Sequence, residues 1–109
     1  MSVTTLKLEG RIDTAQAGRI EAGFSAKAGS LISQGDKAII DIQDVIYLSS
    51  MGIRLLVSTL KQFRQRGVAF VTVRPRERLV SEALEIVNLT DHLNMVEDRE
   101  AAHAIVNQV

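Results

Sequence analysis

Two short, almost wholly apolar segments constrain the fold of this chain most strongly. They span residues 37–42 and 68–73 and read KAIIDI and VAFVTV. Such near-continuous apolar runs are typical of strands buried on both faces of a parallel sheet. Alternating polar and apolar residues predict a further strand at 3–9, and a short last strand is predicted at 94–97. The sequence therefore predicts a central sheet of about four strands.

Four helical segments alternate with these strands. Apolar residues recur at spacings of three and four over 15–33, 53–66 and 76–87, and a last helix is predicted from an N-cap at Asp98 through Val106. Thr14 is expected to cap the first of these helices, and Gly35 is expected to end it. The side chains expected to face the core are Ile20, Phe24, Ala28, Leu31, Ile53, Leu56, Val57, Leu60, Phe63, Leu79, Val80, Ala83, Leu84 and Val87. Alternating strands and helices predict an α/β domain with a mainly parallel sheet flanked by about four helices.

Length and composition restrict the function more than they define it. The 109 residues make one domain, over residues 1–109, and its 13 basic and 13 acidic side chains cancel. Net charge therefore favours neither nucleic acid nor an anionic membrane as a partner. With no cysteine and two histidines, the chain gives no reason to expect a metal or another cofactor. No window approaches the roughly 20 apolar residues of a membrane-spanning helix, so we expect a cytoplasmic domain.

Two serines stand where the second helix is predicted to begin. A serine at a helix N-terminus either caps the helix or carries a phosphate, which the free N–H groups and the helix dipole favour. We assign the cap to Ser49 and the regulatory role to Ser50. Gly52 supports a regulatory site, because a glycine in the first turn weakens the helix and lets another group approach the backbone.

Three carboxylates near the predicted strand ends have two interpretations. Asp13 and Asp44 can form turns and caps while Asp41 accepts from a nearby backbone amide, or all three can form an acidic pocket beside the serines. The first interpretation is favoured for Asp41 and Asp44, and both stay open for Asp13. The basic run between Lys61 and Arg78 is expected to be a solvated face, or else a rim for an acidic partner.

The sequence offers no good case for catalysis. It contains neither a Gly-x-Ser-x-Gly elbow nor a phosphate-binding loop of the Gly-x-x-x-x-Gly-Lys type, and neither histidine is close to the serines along the chain. A serine hydrolase would need a base beside Ser50. A degenerate phospho-aspartate receiver would place Asp41 at a strand end and Arg74 before Pro75, but it lacks the acidic pair expected after the first strand.

The segment from Asp41 to Leu56, DIQDVIYLSSMGIRLL, resembles the STAS domain of anti-sigma factor antagonists, which has relatives in stress-signalling complexes and sulfate-transporter tails. The resemblance extends over about 6–106 and includes the GRID turn at 10–13 and the helix at 79–89. It implies a small mixed or parallel sheet flanked by helices. It also implies a non-enzymatic switch that sequesters an anti-sigma factor serine kinase when unphosphorylated, with a serine phosphatase as a second partner.

The resemblance also implies the site. The family's phosphoacceptor falls on Ser50, with Ser49 the less favoured alternative, and the residues expected to contact the partner are Asp13, Ser49, Ser50, Met51, Gly52 and Arg54. Family members often have aspartate at the position of Ser49 and a small residue at that of Met51. This difference leaves open a constitutive, unphosphorylated scaffold in a stress-signalling or transport-associated complex. The family's first strand is absent or replaced by residues 1–4, which would free a sheet edge for a weak homodimer.

Overall fold

A four-stranded parallel sheet, in the order β1-β2-β3-β4, organises residues 2–108, which are the part of the chain that this computed structural model describes. The elements are β1 (Val3–Ile12), α1 (Thr14–Gln34), β2 (Lys37–Leu48), α2 (Ser50–Gln65), β3 (Phe70–Val73), α3 (Arg78–Ile86), a 3-10 helix (Thr90–His92), β4 (Met95–Val96) and α4 (Arg99–Val106). Four strands and four α-helices in residues 2–108 confirm the predicted α/β fold. Met1 and Val109, the ends of the predicted domain, lie outside the described residues.

The first two strands are longer than predicted. β1 continues to Ile12 and β2 to Leu48, so the turn expected after residue 9 is part of β1. The register between these strands shifts twice, between Lys7 and Glu9 and between Gly10 and Arg11. Each shift inserts an extra residue on β2 and interrupts the alternation of exposed and buried side chains. The interrupted alternation hid the second half of β2 from the sequence pattern.

The helices pack on the two faces of the sheet. A large core joins α1, α2 and α3 to the sheet, and a smaller core of Ile39, Val71, Val73, Val96, Ala102 and Val106 joins α4 to the other face. Phe63 and Phe70 lie in the larger core as predicted, with their ring centroids 5.6 Å apart. In residues 2–108, none of the helices combines the length and apolar character that crossing a membrane requires.

The predicted core face of α3 is only partly correct. Val80 and Leu84 are fully buried, but the side chains of Leu79 and Val87 are 69% and 44% exposed. The helix is a single short segment of nine residues that begins at Arg78. Of its residues only Val80 and Leu84 are buried, so the helix contacts the core along a narrow strip and the flanking positions stay in solvent.

The helix ends follow the sequence signals with one exception. Gly35 ends α1 with a left-handed φ of 71°, and Asp98 caps α4 by accepting from the Ala101 N–H at 2.8 Å. Thr14 was predicted to cap α1 but is its first helical residue. Asp13 is the cap instead, because its Oδ1 accepts from the Gln16 N–H at 2.8 Å.

Candidate functional site

Ser49 is the N-cap of α2, as predicted. Its side chain is buried, and its Oγ accepts a hydrogen bond from the Gly52 N–H at 3.2 Å. Its own backbone N–H donates to the Ile12 carbonyl at 2.9 Å, which fixes the start of α2 against the end of β1. The hydroxyl of Ser49 is therefore committed to the structure of the helix terminus.

Ser50 is the first residue of α2, and its side chain is exposed. The N–H groups of Ser50 and Met51 precede the first intrahelical bond, which runs from Ile53 to Ser49, so the positive end of the helix dipole lies at this residue. Arg54 is also exposed and stands four residues later, on the same face of the helix. A phosphate on Ser50 would thus meet a favourable dipole and a neighbouring guanidinium.

Gly52 has an intramolecular explanation. A Cβ at this position would lie 2.7 Å from Leu48 Cδ1 and 3.0 Å from Ile12 Cγ2, both closer than side chains normally pack. Glycine therefore fits where the first turn of α2 lies directly on two strand ends, and a larger residue would have to displace the side chains of Leu48 and Ile12. The argument that Gly52 opens the backbone to an approaching group is wrong, since this side of the turn faces the protein interior. Its part in a partner contact stays a prediction, acting through the placement of the two serines.

The starts of α1 and α2 lie side by side. Asp13 directly follows Ile12, whose carbonyl binds the Ser49 backbone, so Asp13 and Ser49 cap neighbouring helices at the carboxyl ends of neighbouring parallel strands. This is the edge of a parallel sheet where binding sites commonly occur. We call Asp13, Ser50, Met51 and Arg54 the rim. Asp13 is half-buried and Met51 packs partly on the core, so Ser50 and Arg54 form the most exposed part of the rim.

Asp41 and Asp44 form an ion pair with Arg99 and lie away from the serines. Arg99 Nε donates to Asp41 Oδ2 at 2.6 Å, and Arg99 Nη2 donates to Asp44 Oδ2 at 2.7 Å. Asp41 also accepts from the Gln43 N–H at 3.1 Å, which confirms its predicted bond to a backbone amide. The prediction that Asp44 forms a turn or cap is wrong, because it lies inside β2. The hydrogen bond from Arg99 holds the pKa of the Asp44 carboxyl below its usual range.

The positions of Asp41 and Asp44 exclude two alternative interpretations, namely an acidic pocket beside the serines and a phospho-aspartate receiver. Asp41 and Asp44 are bound to α4, so they do not form an acidic pocket beside the serines. Asp41 pairs with Val73 inside β2, seven residues before this strand ends at Leu48, and its side chain is 5% exposed. It therefore has neither the strand-end position nor the access that a phospho-aspartate receiver requires.

An exposed apolar surface beside the serines was missed from the sequence. In residues 2–108, five of the six large apolar side chains that are exposed come from β2 or from α3 and its end. Ile46 and Tyr47, 59% and 42% exposed, line one groove with Leu79. Ile86, 80% exposed, lies seven residues after Leu79 and hence on the same face of α3. We call Ile46, Tyr47, Leu79 and Ile86 the β2–α3 patch.

Neither of the two histidines, both within the described residues, lies beside the serines. His92 is exposed and contacts Arg64, which is 14 residues after Ser50 and therefore roughly 21 Å along α2. His103 lies on α4, across the sheet. Within residues 2–108, no cluster of three or more histidines and carboxylates is arranged to hold a metal ion. Most of the basic run from Lys61 to Arg78 is exposed, which confirms the predicted solvated face.

Comparisons with known proteins identify the family and the fold of this chain. A family model of the STAS domain matches residues 1–102. The structure of the anti-sigma factor antagonist SpoIIAA in its unphosphorylated form is 17% identical with a TM-score of 0.77, over 99% of this chain and 90% of that one. The phosphorylated form of SpoIIAA, a Bacillus cell fate determinant, is 16% identical with a TM-score of 0.66, over 95% and 91%. Among curated proteins no match was found.

Proposed function

Because the chain belongs to the STAS domain family, we propose that it is an anti-sigma factor antagonist that sequesters an anti-sigma factor serine kinase while Ser50 is unphosphorylated. The observation that carries this proposal is the division between the two serines. Ser49 is buried and caps α2, whereas the side chain of Ser50 at the same helix terminus is exposed and does not form the cap. The fold is also that of SpoIIAA, which occurs in an unphosphorylated and a phosphorylated form.

The binding surface would combine the rim with the β2–α3 patch. Asp13, Ser50 and Arg54 supply polar contacts, and Met51 and the patch supply apolar area beside them. Burial of apolar surface contributes about 25 cal/mol per Å², so covering the patch would favour binding. An anti-sigma factor with an apolar surface of matching shape would fit this face, with Arg54 favouring acidic groups at the edge.

Phosphorylation would end binding through charge. A phosphate adds about −1.5 to −2 charge to Ser50. In the free protein the dipole of α2 and Arg54 stabilise that charge by about 0.3–1 kcal/mol. In the complex Arg54 would face acidic groups of the partner, so the phosphate would be buried without a free cation. That burial costs several kcal/mol, and each 1.4 kcal/mol changes the affinity tenfold. The difference favours dissociation without refolding of the domain, and a serine phosphatase would restore binding.

The residue before Ser50 is compatible with this switch. Family members often have aspartate at this position, and this chain has Ser49. Serine and aspartate are similarly good N-caps, since each accepts a hydrogen bond from the first turn. Ser49 therefore keeps the start of α2 in place, and Ser50 keeps its exposed position.

Phosphate mapping tests the proposal. The protein is incubated with the serine kinase encoded beside its gene and with ATP, and the product is digested and examined by mass spectrometry. We expect one phosphate on Ser50, retained in Ser49→Ala and lost in Ser50→Ala. An active kinase that binds the protein and leaves both serines unmodified would refute the switch.

A constitutive scaffold is the second candidate, and the presence of Ser49 in place of aspartate favours it. In that case the protein would bind its partner in a stress-signalling or transport-associated complex without modification. Calorimetry separates the two, because the switch predicts that Ser50→Asp weakens partner binding at least tenfold while Ser50→Ala preserves it. Equal affinities for the two variants would favour the scaffold.

A further inference from the structure

β1 has an unpaired backbone edge in the described part of the chain. It pairs with β2 alone, and the Lys37 N–H donates to the Ser2 carbonyl at 2.9 Å. By the alternation of a parallel ladder, Ser2 and the even-numbered residues after it direct their N–H and C=O groups toward β2. The odd-numbered residues between Val3 and Glu9 direct their backbone N–H and C=O groups away from the sheet. This edge is ten residues long and contains no proline.

We infer that this edge binds a second copy of the chain, with the two β1 strands antiparallel about a twofold axis at Leu8. The interface would join two four-stranded sheets into one continuous sheet of eight strands. A long unpaired edge is a template for such pairing unless charges, proline or twist oppose it. The exposed residues that bear on this question are Lys7 and Glu9, whose side chains lie on the open face of β1. Within one chain Lys7 Nζ lies 3.6 Å from Glu9 Oε2, so in a dimer each of these groups would have an opposite charge both in its own chain and in the second copy.

The charges of β1 favour one register. With the axis at Leu8, Lys7 of each copy lies opposite Glu9 of the other, so two ion pairs form across the junction. Both residues have outward-directed backbone groups, so the same pairs also exchange backbone hydrogen bonds. Cross-strand pairs of opposite charge stabilise antiparallel strands, and like charges oppose them.

The neighbouring registers are disfavoured by the same residues. An axis at Lys7 places the two Lys7 side chains opposite each other. An axis at Glu9 places the two Glu9 side chains opposite each other and sets Lys7 against Arg11. The charges of Lys7 and Glu9 therefore oppose pairing about an axis at Lys7 or Glu9 and permit pairing about an axis at Leu8.

The surroundings of β1 leave room for this contact. On the open face α4 packs against β3 and β2, and Lys7 and Glu9 are exposed. The proposed partner surface consists of residues of β2, α2 and α3 and of Asp13, which follows the end of β1, so Lys7 and Glu9 are not part of it. The dimer is therefore independent of the proposed function, and failure of either leaves the other standing.

Sedimentation equilibrium of the full chain tests the dimer. We expect a reversible monomer–dimer equilibrium in the wild type. Glu9→Lys and Lys7→Glu each replace both ion pairs by like charges and should each weaken the dimer about tenfold or more. The control variants Glu85→Lys and Lys27→Glu make the same charge changes at exposed positions away from β1 and should leave the equilibrium unchanged.

Mixing the two edge variants provides the sharpest outcome. Glu9→Lys has lysine at 7 and 9 and Lys7→Glu has glutamate at both, so an equimolar mixture restores two opposite-charge pairs and should form a heterodimer. Circular dichroism checks that both variants fold. A wild type that stays monomeric at the highest soluble concentration, a dimer that the edge variants do not weaken, or a mixture that stays monomeric would overturn the inference.

Discussion

Replacement of Gly52 by alanine should destabilise the protein, although the same change at another helical glycine should stabilise it. Gly23 lies in α1, and a Cβ there would meet nothing within 4 Å. Alanine is favoured over glycine in a helix by about 1 kcal/mol, so Gly23→Ala should raise the free energy of unfolding by about 0.5–1 kcal/mol. At Gly52 the new methyl group would lie 2.7 Å from Leu48 Cδ1 and 3.0 Å from Ile12 Cγ2.

The magnitude at Gly52 follows from two opposing terms. Overpacking of a well-packed core costs about 1–3 kcal/mol, and the gain in helix propensity offsets at most about 1 kcal/mol. The free energies of unfolding of Gly52→Ala and Gly23→Ala should thus differ by about 1–3 kcal/mol. Urea denaturation followed by circular dichroism measures this difference, since a change in midpoint at constant slope reports stability.

A second substitution identifies the cause. Leu48→Val removes Cδ1, the atom closest to the added methyl group, so Gly52→Ala should cost less in the Leu48→Val background than in the wild type. This non-additivity is the expected signature of two residues in contact. If Gly52→Ala stabilises the protein as Gly23→Ala does, or if its effect is the same in both backgrounds, packing does not explain the glycine.

Three further predictions concern the α4 ion pair and the apolar surface. Arg99→Ala should lower the midpoint of urea denaturation, because the buried Asp41 carboxylate loses its charged partner. The pKa of Asp44 is lowered on folding, so its stabilising contribution is present above its unfolded value of 3.8 and is lost as the pH falls through the folded value. The stability gap between wild type and Asp44→Asn, measured by denaturation at several pH values, should therefore close below about pH 4. Ile86→Ser should weaken partner binding in calorimetry without lowering the midpoint of unfolding, since this side chain is 80% exposed.

The sequence predicted those features that depend on neighbours along the chain. The left-handed Gly35, the Asp98 cap and the buried Leu56, Leu60 and Phe63 all follow from local conformation or from helical spacing. The STAS resemblance supplied the fold, and the family match confirms the family. The serine site that the resemblance implies stays a prediction.

Features that depend on distant residues were not predictable in this way. Arg99 meets Asp41 and Asp44 across 58 and 55 positions, and no local pattern relates them. The exposure of Ile46 and Tyr47 follows from the register shifts between β1 and β2, which a rule of strict alternation cannot anticipate. The sequence pattern suggested that Gly52 makes the backbone accessible. In the structure the reason for a glycine at this position is the close approach of Ile12, which lies 40 positions earlier in the chain.

The packing of Gly52 also bears on how a switch at Ser50 would work. The first turn of α2 is held by three internal constraints: the Ser49 cap, the Ser49 backbone bond to Ile12 and the close contact at Gly52. None of them uses the Ser50 side chain, so a phosphate on Ser50 adds charge without breaking a bond that supports the helix. A modification of this kind changes the surface presented to a partner and leaves the fold intact. The rigidity of the helix start is thus what would allow phosphorylation to act on binding alone.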